Sequence, residues 1–231
     1  MKGYIHYIKG HKGSEKQANE SLKSFLQNGW DVSLREGITP DTLDEKEFDY
    51  PLIKGGRLSI MKKNGEEKYF IKKSCLSNQI RLWRECVKIN TPLVFIEHDA
   101  ICLLPYDRPF DEVICFNLEY AFLPPTVLSI YPRLRDYSVP SSISPKPFPE
   151  DYPLTYPKNN AYEGSKLIPG TAAYGVTPKG ARKLLIAAEK YGLEQSDYFI
   201  NTSNVNIEYV TPSPVKFNIT NLNTSHGWNK K

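Results

Sequence analysis

The sequence predicts an α/β protein with a mostly parallel central sheet that helices cover on both faces. Segments with the period of strands alternate with segments with the period of helices along much of the 231 residues. Residues 91–97 and 113–118 have the apolar composition of strands buried on both faces. This alternation is typical of parallel sheets, because a helix usually forms the crossover between parallel strands. The length suits one large domain, residues 1–231, without an independent second domain.

The first elements predict a strand, a polar loop, a helix and a second strand. Residues 4–8 form the first strand, and Ser14 and Gln17 have the types that cap the following helix, which Gly29 ends. Residues 30–34 form the second strand. A strand, polar loop and helix in this order are typical of the start of a nucleotide-binding α/β layer. The loop lacks the glycine-rich phosphate-binding pattern, so we assign it no base or ribose contact. Its Lys9 and Lys12 lie either near phosphates or, as the favoured alternative, in solvent.

Residues 54–73 are strongly basic. Asn64-Gly65 lies near their middle and predicts the turn of a β-hairpin. One interpretation is a solvated edge hairpin that lysines protect from strand pairing, and the other is a surface that faces a polyanion. The whole chain has a net charge of +4, which is compatible with anionic ligands. The basic residues of the segment are Lys54, Arg57, Lys62, Lys63, Lys68, Lys72 and Lys73.

An amphipathic helix then leads into an acidic strand end. The apolar positions of residues 74–87 fall on one helical face. The strand that follows ends in two carboxylates, Glu97 and Asp99, one residue apart. If the strand continues to Asp99, the two acids point to the same side, where they can share a divalent cation, and His98 points to the other side. The alternative is a strand end with two solvated acids.

Three blocks of sequence resemble glycosyltransferase family 25, the lipopolysaccharide and procollagen galactosyltransferases. Residues 74–103, with Cys-Leu-Ser-Asn at 75–78, Trp83 and Ile-Glu-His-Asp at 96–99, are similar to its "Cys-x-x-Ser-His … Trp … Leu-Glu-Asp-Asp" block. Residues 170–185 are similar to its "Gly-Thr-x-x-Tyr … Gly-Ala-x-x-Leu-Leu" stretch, and residues 196–199 to its short "x-Asp-x-x" motif. The blocks cover about half of the chain. Asn replaces the usual His of the first block, and His replaces the middle Asp.

The resemblance implies a GT-A fold and an inverting, metal-dependent transferase that uses a nucleotide sugar, with a UDP-sugar as the expected donor. It implies that Asp99 and Glu97 hold Mn²⁺ or Mg²⁺, that Glu97 alternatively contacts ribose or a metal-bound water, and that His226 completes the metal site. It assigns Asp197 as the general base. The alternatives are a helix cap for Asp197 and an ordinary tail residue for His226. The expected donor-binding residues are Ser77 and Asn78 at a helix start, Glu97, Thr171 and Tyr174.

Residues 124–169 are rich in proline and tyrosine. We interpret this segment as a lid over the acceptor site, with tyrosines that stack on a sugar or a base. The alternative is a proline-stiffened surface loop whose tyrosines pack inward. After it, Thr177 and Pro178 predict the start of a helix that Gly192 ends.

Composition sets expectations about the surroundings of the protein. The four cysteines show no paired Cys-x-x-Cys spacing, and their neighbours in the sequence are apolar. This pattern predicts buried free thiols. No apolar segment approaches membrane-spanning length, so we expect a soluble, cytoplasmic protein, in the host cytoplasm if a phage encodes it.

The leading functional hypothesis is a metal-dependent glycosyltransferase that moves a sugar to the hydroxyl of a glycan. A second version of the enzyme is a bacteriophage transferase that modifies 5-hydroxymethylcytosine in DNA. The hypothesis from another class is a non-catalytic nucleic-acid or nucleotide-binding protein that kept the fold and lost the chemistry.

Overall fold

The computed structural model describes residues 1–120, 140–156, 162–168 and 170–218. A seven-stranded sheet forms the centre of the fold, and two further strands form a small separate sheet. The strands are β1 (Lys2–Tyr7), β2 (Asp31–Glu36), β3 (Leu93–Glu97), β4 (Ala100–Cys102), β5 (Val113–Cys115), β6 (Ser142–Pro147), β7 (Ala173–Val176), β8 (Ile207–Thr211) and β9 (Val215–Phe217). The helices of the described ranges are α1 (Lys12–Gln27), α2 (Arg57–Lys63), α3 (Lys68–Ile89), α4 (Pro178–Tyr191) and α5 (Ser196–Phe199).

The central sheet is mixed, with the strand order β2-β1-β3-β7-β5-β8-β6. β1 is parallel to β2 and β3, and β5 is parallel to β8. β7 is antiparallel to β3 and β5, and β6 is antiparallel to β8. The α/β class is therefore confirmed, and the expectation of a mostly parallel sheet is wrong. The sequence pattern locates strands but not their neighbours, and β7 inserts between two strands that are distant from it in sequence.

Helices α1 and α3 cover opposite faces of the sheet. Phe25 of α1 belongs to the same apolar cluster as Ile5 and Val94, which lie on one face. Trp83 of α3 belongs to the cluster on the other face, together with Phe95. Because β1 is flanked by β2 and β3, the crossover through α1 leads to one side of β1 and the crossover through α3 leads to the other.

The basic segment forms a pair of helices and not the expected hairpin. Helix α2 ends at Asn64, whose N–H donates to the carbonyl of Ile60, and α3 begins at Lys68. Gly65 has a φ of 66°, the left-handed conformation that suits glycine after the end of a helix. Both a tight hairpin and a helix C-terminus use Asn-Gly for this reason, so the dipeptide alone does not separate the two structures.

The start of α1 also differs from the expectation. The residue that caps α1 is His11, whose Nδ1 accepts a hydrogen bond from the N–H of Ser14 at 3.1 Å. The hydroxyl oxygen of Ser14 accepts from the N–H of Ile8 instead. The helix α4 starts as predicted, since the Thr177 side chain accepts from the N–H of Gly180.

The described part of the proline- and tyrosine-rich segment belongs to the body of the protein. Strand β6 forms the edge of the sheet beside β8. Tyr152, Tyr156 and Tyr162 are all buried. These three tyrosines therefore follow the inward-packing alternative and not the lid interpretation. Residues 121–139, 157–161 and 169 lie outside the described residues, and so do Tyr131 and Tyr137.

The cysteines are free, but only three of them are buried as expected. Cys75 is exposed, which corrects the prediction for that residue. Across the described ranges, we find no helix that is both long and apolar enough to cross a membrane.

Buried Glu194 anchors the start of α2. Its carboxylate accepts hydrogen bonds from the N–H groups of Arg57 (2.7 Å) and Leu58 (3.1 Å). It also accepts from the N–H of Gln195 and the hydroxyl of Tyr156, each at 2.7 Å. Four donors around one carboxylate compensate for its removal from water, and two of them are the otherwise unpaired N–H groups of a helix start.

Glu194→Gln should destabilise the protein by on the order of 2 kcal/mol, because the amide NH₂ then faces at least one backbone N–H group, which can only donate. Chemical denaturation followed by circular dichroism measures this loss. Glu189→Gln, an exposed change on α4, is the matched control and should leave the free energy of unfolding almost unchanged. Equal stability of the two variants would contradict the anchoring role.

Candidate functional site

The candidate site lies at the carboxyl ends of β1 and β3. In open α/β sheets, ligands bind in the crevice outside the carboxyl ends of the strands, at the point where the crossovers turn to opposite sides. In this chain that point is β1, whose crossovers run through α1 and α3 on opposite faces. The fold therefore places a binding crevice beside the residue that ends β3, Glu97.

A small cavity and a wider groove that adjoins it lie at this position. A cavity of about 130 Å³ lies between the ends of β1 and β3, the segment 37–40 and the middle of α3. A wider groove of about 1330 Å³ adjoins it and is lined by the segment 8–11, the end of α2 and the start of α3. The two share Ile8, Pro40 and Ile71 as lining residues.

Glu97 is the last residue of β3 and lines the cavity. The hydroxyl of buried Thr171 donates a hydrogen bond of 2.6 Å to its carboxylate. Burial, and then the negative charge of Asp99, raise the pKa of Glu97 to about 7, while the hydrogen bond from Thr171 acts in the opposite direction. Two predicted site residues, Glu97 and Thr171, are therefore in direct contact.

Asp99 lies in the turn between β3 and β4, so the strand geometry does not continue to it. Its charge nevertheless acts on Glu97, which places the two carboxylates near each other. Burial raises the pKa of Asp99 to about 6. Its Oδ1 atom is buried and accepts no hydrogen bond from the described residues.

These properties fit a hard divalent cation. Two neighbouring carboxylates that resist ionisation, one of them with an orphaned oxygen, are relieved by a positive charge between them. Within the described ranges, no group of three metal-ligating side chains is present. His226, the expected third ligand, lies outside the described residues. The chain reaches Asn218 beside this position, because the N–H of Asn218 donates to the carbonyl of Asp99 at 2.8 Å.

Asp197 is brought to the same region from the C-terminal third of the chain. It lies in α5 and is half-buried, and its Oδ1 accepts from the Nε2 of Gln195 at 2.8 Å. Its negative charge contributes to the raised pKa of Glu97. The residue that caps α5 is Gln195, so the alternative of Asp197 as the helix cap is wrong.

Ser77 and Asn78 do not occupy a helix start. Both lie near the middle of α3, where backbone N–H groups bond within the helix, so the expected phosphate contact through such groups is wrong. The Asn78 amide instead holds the loop after β2, since it accepts from the N–H of Ile38 at 2.7 Å and donates to its carbonyl at 2.9 Å. Asn78 also lines the cavity, whereas Ser77 is fully buried.

Tyr174 does not line the cleft through its ring. It is fully buried in β7, and its hydroxyl accepts from the indole N–H of Trp83 at 2.9 Å. The Tyr174 hydroxyl also donates a hydrogen bond to Oε1 of Gln79 at 3.2 Å, and the Tyr174 ring stacks on that of Phe95. Tyr174 therefore connects α3 to the sheet underneath the site.

Sequence reasoning missed His6, at the carboxyl end of β1. It lies beside Glu97 in the strand register, lines the cavity and stacks on Phe95 with ring centroids 4.4 Å apart. Burial, and then the charges of Arg35 and Arg81, lower the pKa of His6 to about 3, so its ring is neutral. Neither ring nitrogen makes a hydrogen bond of normal geometry with the described residues. The signal in the sequence that could have identified His6 is its position near the end of the first strand.

His98 and Cys75 also belong to the site. His98 lines the cavity together with Glu97, and not the opposite side of the strand, because the strand ends at Glu97. Burial lowers the pKa of His98 even though Glu97 acts against this shift. Cys75 lines the same cavity, and desolvation by the surrounding protein raises the pKa of its thiol to about 11. The charges of Glu97 and Asp197 also raise this pKa.

Comparison with protein-family models gives no match, and a search of curated proteins also finds none.

Glu97→Gln should stabilise the protein at high pH in buffers free of divalent ions. The unfolded carboxyl ionises near pH 4.5, whereas the folded one keeps its proton to about pH 7. The charged form therefore costs free energy that grows from pH 4.5 to 7 and is complete above pH 7. The melting temperature of the variant should exceed that of the parent by several degrees at pH 8.5 and by little at pH 5. Glu189→Gln is the control, and a pH-independent difference would contradict the assigned pKa.

Proposed function

We propose that the protein is a metal-dependent, inverting glycosyltransferase that moves a sugar from a nucleotide sugar to a hydroxyl acceptor. The observation that carries the proposal is the pair of carboxylates at and just after the end of β3, both raised in pKa, of which Glu97 lines the cavity at the switch point of the sheet. Asp197, from a distant part of the chain, joins them. The strand order and this position support the GT-A arrangement that the sequence resemblance implies.

Asp99 and Glu97 are the proposed ligands of Mn²⁺ or Mg²⁺, and the bound cation would neutralise the charge that builds on the departing diphosphate. The hydroxyl of Thr171 holds the Glu97 carboxylate in place. Asn218 lies beside Asp99, and His226 follows it by only eight residues in the sequence. His226 is therefore the proposed third ligand.

The cavity is the proposed position of the nucleobase, and a UDP-sugar is the proposed donor. Its walls include apolar side chains such as Ile38, Ile71 and Phe95, which suit the faces of a flat ring. The unpaired nitrogens of neutral His6 suit the polar edge of such a ring. Asn78 contributes by fixing the loop that forms one wall.

Asp197 is the proposed general base. It takes the proton of the acceptor hydroxyl while the oxygen attacks the anomeric carbon and the bond to the diphosphate breaks on the opposite face. Gln195 orients one carboxylate oxygen, and within the described ranges no side chain or backbone N–H donates to the other, which leaves it available for the acceptor. The proximity of Asp197 to the acid pair favours an enzyme over a binding protein that has lost its chemistry.

The resemblance implies a glycan acceptor. A second candidate acceptor, a hydroxylated base in DNA such as 5-hydroxymethylcytosine, is supported by the concentration of positive charge in residues 54–73.

Asp99→Ala should reduce Mn²⁺-dependent hydrolysis of UDP-sugars by on the order of a hundredfold or more, because it removes a metal ligand and no core side chain. The parent should also melt at a higher temperature when Mn²⁺ is added, and the variant should not. Asp31→Ala, at the opposite end of the sheet, is the control for both measurements. Near-normal turnover of the folded Asp99 variant at saturating Mn²⁺ would refute the assignment.

Asp197→Asn should suppress transfer and preserve donor binding, because the amide keeps the shape of the side chain and loses its basicity. Calorimetry with the nucleotide sugar measures binding, and product formation measures transfer. Asp107→Asn, an exposed change, is the control. A collapse of donor affinity in the Asp197 variant would place this residue in the donor site and the base elsewhere.

A further inference from the structure

The positive charge of this protein is concentrated in one structural unit. Residues 54–73, which contain α2 and the start of α3, carry seven Lys or Arg against two Glu, a net charge of +5. The other 211 residues carry 23 Lys or Arg against 24 Asp or Glu, a net charge of −1. We call residues 54–73 the basic helix pair. The whole excess of positive charge therefore belongs to this unit.

Most of these cations are available to a partner. Within the described ranges, six of them make no ion pair: Lys54, Arg57, Lys62, Lys63, Lys68 and Lys72. Lys73 is the exception, because it is buried and its ammonium lies 3.0 Å from the carboxylate of Glu45. Unpaired cations on one surface repel each other, and an anionic partner relieves this repulsion.

The basic helix pair borders the candidate site. The guanidinium of Arg57 lies over the ring of Tyr198, 4.6 Å from its centroid, and Tyr198 follows the proposed base Asp197. On α3, Lys68 and Lys72 precede Cys75 by two turns and one turn, so these three residues share a face of the helix. Cys75 lines the cavity. A polymer on the basic helix pair therefore passes the acid cluster.

The spacing of the cations suits a repeating anion. Helix α2 rises about 1.5 Å per residue, so Arg57 and Lys63 at its two ends are about 9 Å apart along the axis. The cations lie at its two ends, Arg57 at the start and Lys62 and Lys63 at the last turn, so a flexible polyanion can contact both ends of the helix.

Exposed aromatic surface accompanies the charge. Phe70 is 43% exposed and lines the groove, and its ring packs edge-on against Tyr69 at 5.0 Å. Bases stack on such rings in proteins that bind single strands. A membrane surface is a poorer fit, because α2 has only seven residues and Phe70 faces a concave groove that a flat bilayer does not fill. The acids of the groove lining, among them Asp41 and Glu66, disfavour phosphates inside the groove and leave them to the outer surface.

We infer that the basic helix pair binds a nucleic-acid strand, with the phosphates on its unpaired lysines and an unpaired base against Phe70. The existence of this binding surface is inferred from the charge, exposure and position of the basic helix pair alone. The further step, that the bound strand is the acceptor and presents a hydroxylated base to Asp197, rests on the proposed function. A paired base cannot stack on Phe70, so a single strand should bind more tightly than a duplex.

Fluorescence anisotropy with a labelled 15-nucleotide oligothymidine, titrated with the full chain over a range of salt concentrations, tests the surface. Binding should weaken steeply with salt, and Lys63→Gln with Lys68→Gln should reduce the slope of log K against log salt by about 1.4. Phe70→Ala should weaken binding by about tenfold with no change of slope. The control double variant Lys23→Gln with Lys88→Gln removes the same charge from exposed sites outside the pair and should behave as the parent.

Three outcomes would overturn the inference: no binding of the oligonucleotide, equal loss in both double variants, or tighter binding of heparin or of vesicles rich in phosphatidylserine than of the oligonucleotide. Mn²⁺-dependent hydrolysis of UDP-sugars, measured on the same preparations, separates the two proposals. Hydrolysis without oligonucleotide binding refutes the inference and leaves the proposed function standing. Oligonucleotide binding without hydrolysis of any donor supports the surface and removes the acceptor role.

Discussion

The parallel pairing of β1 with both β2 and β3 is the constraint on which the rest of the structure depends. Parallel neighbours on both sides of one strand require two crossovers, and these place α1 and α3 on opposite faces of the sheet. The carboxyl ends of the three strands then meet at one edge of the sheet. The cavity and Glu97 lie at this edge, in the position that the topology favours for a ligand.

The electrostatics of the site follow from the same topology. A strand that is buried along its length delivers Glu97 to a place where water is scarce, and Asp99 follows in the turn. Burial therefore raises the pKa of both carboxyls, and the charge of Asp99 raises that of Glu97 further. The excess of positive charge lies on the basic helix pair, which borders the site through the contact of Arg57 with Tyr198.

Several features could be predicted because they depend on short stretches of sequence. The strand before Glu97, the cap at Thr177 and the amphipathic face of α3 are local patterns, and the structure confirms them. Other patterns have two structural solutions. Asn64-Gly65 is compatible with a hairpin or a helix end, and the choice depends on α3 packing against the sheet, which a window of a few residues does not contain.

The sequence by itself determined the α/β class, the acidic end of a buried strand and the basic character of residues 54–73, because composition and periodicity encode burial and charge directly. Only the tertiary structure decided that β7 enters antiparallel, that Tyr174 is a core residue and that His6 lines the cavity. It also decided that the charge of Asp197 acts on Glu97, which is 100 positions away in the sequence. The physical reason is that strand order and side-chain surroundings depend on contacts between segments distant in the chain, and a single sequence carries no local signal for them.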